Sequence, residues 1–193
     1  MNKRIYLSPP SMSQIDKDYL LKAFDSNWIA PKGPFLDDFE KKVSQYLGVG
    51  NACAVSSGTA ALHLALKILN IGKSDKVLCP SFTFAASANV ILYEGAKPIF
   101  LDVDPKKWTL DVEVLETAIK KIKPKALIAV DVYGVSCDYD DIIYLCDKYN
   151  VFLISDTAEA LGSLYKGRKC GSIAPLSVLS FNGNKIITTS GGG

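Results

Sequence analysis

Short apolar runs recur along the chain, and a stretch of helical periodicity follows most of them. The runs lie at residues 52–55, 76–79, 98–101, 126–132, 151–154 and 176–181. Between them, apolar residues repeat at three- and four-residue spacing in 59–69, in 83–93 (closed by Gly95), after Asp111 up to Pro124, and in 139–149. Strands that are apolar on both sides must be covered on both faces, and strands separated by helices are most simply connected in parallel. The pattern predicts an α/β fold with a mainly parallel sheet between two helical layers. In such sheets ligands bind beyond the carboxyl ends of the strands. The polar residues that follow each strand are therefore the candidates for function.

Residues 1–34 stand apart as a Pro- and Ser-rich arm around one helical pattern (Ile15, Tyr19, Leu20, Ala23, Phe24). The sheet domain begins at 35, where Phe35, Phe39, Val43, Tyr46 and Leu47 recur at helical spacing and Gly48 marks the stop. A formal net charge of +2 on 193 residues, 48% of them hydrophobic, gives no reason to expect nucleic acid or an acidic membrane surface as partner. No run approaches membrane-spanning length, and the opening MNKRIYLSPP has no apolar signal core. Five cysteines without a CxxC pair read as reduced thiols in a reducing compartment, which points to the cytoplasm. With His63 the only histidine, zinc sites and Ser–His or Cys–His catalysis lose most of their material, and no metal is expected.

Ser56-Ser57-Gly58-Thr59 follows the first run and opens a helix. Small residues at a helix start let a ligand approach free N–H groups, an arrangement suited to phosphate, although a simple Ser or Thr cap has the same sequence. The glycines Gly48 and Gly50 precede a strand, whereas a dinucleotide fingerprint should follow one. Phe84, after the second run, can stack on a planar ligand or serve as core. Asp156 and Glu159 flank the end of the 151–154 run. They suit an acid/base pair, or one carboxylate opposite a cationic ring nitrogen, or a helix cap beside a solvated glutamate. Ser180 and Lys185 follow the last run. A lysine set against apolar walls can act as a nucleophile toward an aldehyde, while a surface lysine in a glycine-rich loop is the plainer reading. Taken together, a phosphate cradle, an aromatic platform, a carboxylate and a lysine are the parts needed to hold pyridoxal phosphate.

The ordered stretches SSGTAALHLAL, PSFTFAASAN, ISDTAEALGS and SFNGNKIITTSGGG resemble those of the DegT/DnrJ/StrS family of pyridoxal-phosphate-dependent sugar-nucleotide aminotransferases. YLSPP, SNWIAPKGPF and SFNGNK look particularly like the bacillosamine-pathway members. The resemblance implies an aspartate aminotransferase-like (fold type I) large domain. It also implies transfer of an amino group from glutamate to C4 of a UDP-4-keto-6-deoxy-N-acetylhexosamine, in a homodimer. By the same resemblance Lys185 is the lysine that bonds pyridoxal phosphate, and Asp156 pairs with its ring nitrogen. Glu159 lies on the ring-hydroxyl side, Phe84 stacks on the ring, and Gly58, Thr59 and Ser180 hold the phosphate. Trp28, Ile29 and Ala30 lie near the substrate.

Some positions depart from the family pattern. Ser190 stands where many members carry Glu, Ser155 and Thr157 replace the usual Glu and Ala beside the aspartate, and Asp131 stands where a His is common. The family continues past the lysine into further sheet and a small C-terminal domain, so 35–193 is expected to be an incomplete large domain. The alternatives are an aminotransferase for another nucleotide keto-sugar, an inactive truncated fragment, a sugar dehydratase (disfavoured by Lys185), or a dinucleotide-binding protein using 57–59.

Overall fold

A computed structural model describes residues 4–6, 8–28 and 30–193. Its helices are α1 (Gln14–Asp25), α2 (Pro34–Leu47), α3 (Gly58–Ile68), α4 (Ala86–Tyr93), α5 (Val112–Ile122) and α6 (Tyr139–Tyr149). The main strands are β1 (Lys76–Pro80), β2 (Lys97–Leu101), β3 (Ala126–Val130), β4 (Phe152–Asp156) and β7 (Leu176–Val178); β5 (Leu164–Tyr165) and β6 (Arg168–Lys169) form a separate hairpin. The five main strands pair in parallel in the order β2-β1-β3-β4-β7.

Side-chain alternation divides the core in two. From β3, Ala126, Ile128 and Val130 join Leu62 and Leu66 of α3 and Val90 and Ile91 of α4 on one face. Leu127 and Ala129 join Leu115 and Ile119 of α5 and Ile142 and Leu145 of α6 on the other. Each large aliphatic side chain buried this way contributes roughly 1.5–3 kcal/mol, so the doubly covered sheet holds the core of the molecule. Register then fixes the edge that matters. Val130, Asp156 and Val178 lie side by side at the carboxyl ends of β3, β4 and β7.

The caps follow local chemistry. Ser13 and Asp16 form a reciprocal capping box on α1, Ser57 caps α3 through the Ala60 N–H, and Asp111 caps α5 through the N–H groups of Glu113 and Val114. Gly48 ends α2 in the left-handed region at φ 74°, which explains its place before the 52–55 run as a helix stop. Helix α1 buries none of its residues, and the Lys42 ammonium lies 3.2 Å from the Tyr19 hydroxyl.

Three expectations are corrected. The 52–55 run is not a strand of the sheet. Val55 instead exchanges two backbone hydrogen bonds with Gly193, and Ser57 bridges Gly192. A ladder needs several partner residues in register, and here the partner is a short glycine segment turning through φ 121° at Gly192. β7 stops at Val178, because its neighbour β4 ends at Asp156 and the Val178 carbonyl accepts from both the N–H and the hydroxyl of Thr157. α4 begins at Ala86 and not at Thr83, which instead hydrogen-bonds Ser87 side chain to side chain. The β5–β6 hairpin was unforeseen. Its turn residues Lys166 (φ 48°) and Gly167 (φ 80°) both have positive φ, as a tight two-residue hairpin turn requires.

Candidate active site

At the carboxyl edge of the sheet a cavity of about 320 Å³ gathers most of the residues singled out in the sequence. Gly58, Thr59, Phe84, Asp156, Glu159, Ser180 and Lys185 all line it, contributed by α3, by the end of β4 and by the loops after β1, β4 and β7.

The floor is Asp156. Its place at the end of β4 turns the side chain toward the α3–α4 face, the same face as Ile154 two residues earlier. It is 5% exposed. One carboxylate oxygen accepts from the Ser87 hydroxyl at 2.7 Å and the other from the Ala158 N–H at 3.2 Å. Burial pushes its proton affinity up, against those hydrogen bonds and the nearby Lys185 ammonium. The side chain is thus a sequestered carboxyl group, neither a helix cap nor a surface group.

Lys185 sits across the cavity in a turn closed by its own N–H on the Asn182 carbonyl. Its side chain is only 13% exposed, and its ammonium lies 3.3 Å from one oxygen of Glu159. The other Glu159 oxygen accepts the Tyr133 N–H at 2.8 Å, and that bond helps hold Tyr133 at a left-handed φ of 52°. Glu159 therefore anchors both the lysine and the loop after β3.

The remaining wall is the start of α3. Gly58 is buried, and a Cβ there would meet the Ser180 Cβ at 3.1 Å and the Leu179 carbonyl at 3.3 Å. The space between the first turn of α3 and Ser180 thus depends on a glycine, and the turn's free N–H groups favour an anion. Phe84 stands at the opening, 75% exposed. Trp28 and Ala30 are not among the lining residues; the Trp28 indole N–H instead bonds the Lys32 carbonyl, and Ile29 lies outside the described residues. Sequence reading missed Ser87, Asn182 and Asn184.

A second buried polar cluster is centred on Asp131, which also lines the cavity. Asp131, fully buried, accepts from the Cys137 N–H and the Tyr139 hydroxyl, both at 2.9 Å, and Tyr139 also hydrogen-bonds Ser155. Among the described residues no group of His, Cys, Asp and Glu could hold a metal ion, and no helix is long and apolar enough to cross a membrane.

Gly58, Asp156, Ser180 and Lys185, which the resemblance expects together, line one cavity. Residues 10–193 match the sequence profile of the DegT/DnrJ/EryC1/StrS aminotransferase family. The chain belongs to this family. Among its relatives, EpsN of Bacillus subtilis, provisionally named a pyridoxal phosphate-dependent aminotransferase, is 52% identical over the whole chain and 51% of its own length. GDP-perosamine synthase of Caulobacter vibrioides is 43% identical over 98% of the chain and 51% of its own. The UDP-4-amino-4,6-dideoxy-N-acetyl-beta-L-altrosamine transaminase of Campylobacter jejuni is 42% identical over 98% of the chain and 50% of its own. The pyridoxal-phosphate form of Spr1654 of Streptococcus pneumoniae, provisionally named a sugar aminotransferase, superposes with a TM-score of 0.93 at 33% identity, covering 98% of this chain and 52% of that one. The fold is the aspartate aminotransferase-like, fold type I architecture. The chain spans about half the length of the curated relatives it matches.

Proposed function

We propose that this chain carries the cofactor-binding part of a pyridoxal-phosphate-dependent aminotransferase that moves an amino group from glutamate to C4 of a UDP-4-keto-6-deoxy-N-acetylhexosamine. The observation that carries the reading is the convergence of Lys185, the buried Asp156 and the Gly58–Ser180 cradle on one cavity. When bound, pyridoxal phosphate supplies a carbonyl that takes up an amino group and a ring that accepts the electrons released at carbon.

The residues present fit that group. The N–H groups at the start of α3, with Thr59 and Ser180, would bind the phosphate, and Gly58 lets that turn pack closely against Ser180. Asp156, shielded from water and oriented by Ser87, holds a proton at the ring nitrogen. Phe84 covers a ring face. Lys185 would hold the cofactor through Nζ and would be the group to carry protons there, with Glu159 3.3 Å from that amine.

The substrate class rests on the relatives. The Campylobacter protein is named for a UDP-linked 4-amino-4,6-dideoxy-N-acetyl sugar, which supports the UDP reading. A GDP-linked keto-sugar is the second reading, favoured by the similar identity to GDP-perosamine synthase. We place the enzyme in the cytoplasm, whose reducing conditions suit the buried free thiols Cys79, Cys137, Cys146 and Cys170. We take the working form to be a homodimer with Trp28 to Ala30 near substrate.

The test is amination of UDP- and GDP-linked 4-keto-6-deoxy sugars with glutamate as donor, read by mass spectrometry of the product. Expected is the UDP-linked 4-amino sugar with parallel double-reciprocal lines. Exclusive use of the GDP sugar would replace the substrate assignment, and intersecting lines would contradict the two half-reactions.

A further inference from the structure

Asp131 is a fully buried carboxylate that the chemistry above does not use. It lies just beyond β3, and its N–H donates to the Asp156 carbonyl at 3.0 Å, so the two aspartates are tied across neighbouring strands. The titratable groups that face it are the Cys137 thiol, the Tyr139 hydroxyl on α6, the Cys170 thiol after β6 and the Asp156 carboxylate. None is a cation, and among the described residues Asp131 makes no salt bridge. A buried charge without a counter-ion is costly, and it repels a like charge through low-dielectric surroundings. Tyr139 carries the contact further. Its hydroxyl donates to Asp131 and shares a hydrogen bond with Ser155, the residue before Asp156 on β4.

We propose that Asp131 is a positioning residue for Asp156: when ionised it places a second buried negative charge beside the Asp156 carboxylate, and its protonation switches that charge off. The inference deepens the cofactor reading and rests on it for the ring nitrogen that Asp156 meets. An ionised Asp131 strengthens the hold of Asp156 on a proton; a protonated one weakens it. Burial raises Asp131 to about 6, so the switch operates in mildly acidic conditions.

The test has a cofactor-free arm and a loaded arm. In the cofactor-free protein, infrared bands of protonated carboxyls are followed against pH, with Asp156→Asn identifying the Asp156 band. Asp131→Asn is expected to delete one band with a midpoint near 6 and to move the Asp156 titration to lower pH. In the protein loaded with pyridoxal phosphate, the cofactor's absorbance is expected to titrate with the same midpoint, and this step is expected to vanish in Asp131→Asn. Tyr139→Phe retains the carboxylate but removes a hydrogen bond to it, and is expected to move the midpoint upward. An Asp156 titration unchanged by Asp131→Asn overturns the inference, as does an unchanged absorbance step. If Asp131→Asn does not fold, an unmoved midpoint in Tyr139→Phe overturns it. Failure of the wild-type protein to take up pyridoxal phosphate would instead defeat the cofactor reading, and the infrared arm would still decide the coupling.

Discussion

Replacing Asp131 with asparagine is expected to change how stability depends on pH, and the size follows from the burial of the carboxylate. In the folded chain Asp131 is raised from 3.8 to about 6, mainly by desolvation. Between those values the folded state holds a proton that the unfolded state has released. Stability therefore falls as pH rises from about 4 to about 6, and the full penalty remains above that. At ~1.4 kcal/mol for each unit between the two values, the penalty is about 3 kcal/mol. Asparagine has no charge to bury. Its oxygen can still accept the Cys137 N–H, and its NH₂ can donate to Tyr139, which is then free to donate to Ser155. Urea unfolding of the cofactor-free wild type and variant across this range measures the difference. The variant is expected to gain on the wild type by about 3 kcal/mol between pH 4 and pH 7, with carboxylates common to both cancelling in the subtraction. A difference independent of pH would show that Asp131 is not an uncompensated buried charge.

Other substitutions probe the remaining parts. Gly58→Ala puts a methyl group 3.1 Å from the Ser180 Cβ and 3.3 Å from the Leu179 carbonyl; it is expected to weaken pyridoxal phosphate binding about tenfold, roughly 1.4 kcal/mol, in a fluorescence titration. Phe84→Ala, at an exposed ring, is expected to leave the unfolding midpoint in place and to weaken cofactor binding about 3- to 10-fold, the range of one lost aromatic contact. Ile128→Ala, at the centre of β3, is expected to cost about 2–5 kcal/mol in urea unfolding; a loss under ~1 kcal/mol would mean that the α3–α4 face is not the core.

Gly58 was grouped with the other cavity residues through the 52–55 run, which is not a strand of the sheet. Asp156 and Lys185 were legible because each lies at or beyond the end of a strand and a parallel sheet puts all its carboxyl ends on one edge, whatever the strand order. That order was not legible. Nothing in the sequence says that β3 lies between β1 and β4, and only that neighbourhood makes Asp131 a companion of Asp156. The 52–55 run looked like a strand because its composition is apolar, yet its pairing depends on a partner segment at 191–193 that the local pattern does not reveal. Ser87 and Tyr139 were hidden for a similar reason. Each lies on a helix, and its role comes from a carboxylate outside that helix, Asp156 or Asp131, which the local pattern does not reveal. The Lys166-Gly167 turn was readable, since a glycine-containing pair between Tyr165 and Arg168 is a hairpin signal.

The central claim is that Lys185 is the residue to which pyridoxal phosphate attaches. The direct measurement is borohydride reduction of the protein incubated with pyridoxal phosphate, followed by peptide mass spectrometry. The account predicts one stable adduct, on Lys185, lost in Lys185→Ala together with the visible absorbance. The same adduct and absorbance in Lys185→Ala, or trapping spread over surface lysines with none at 185, would contradict it.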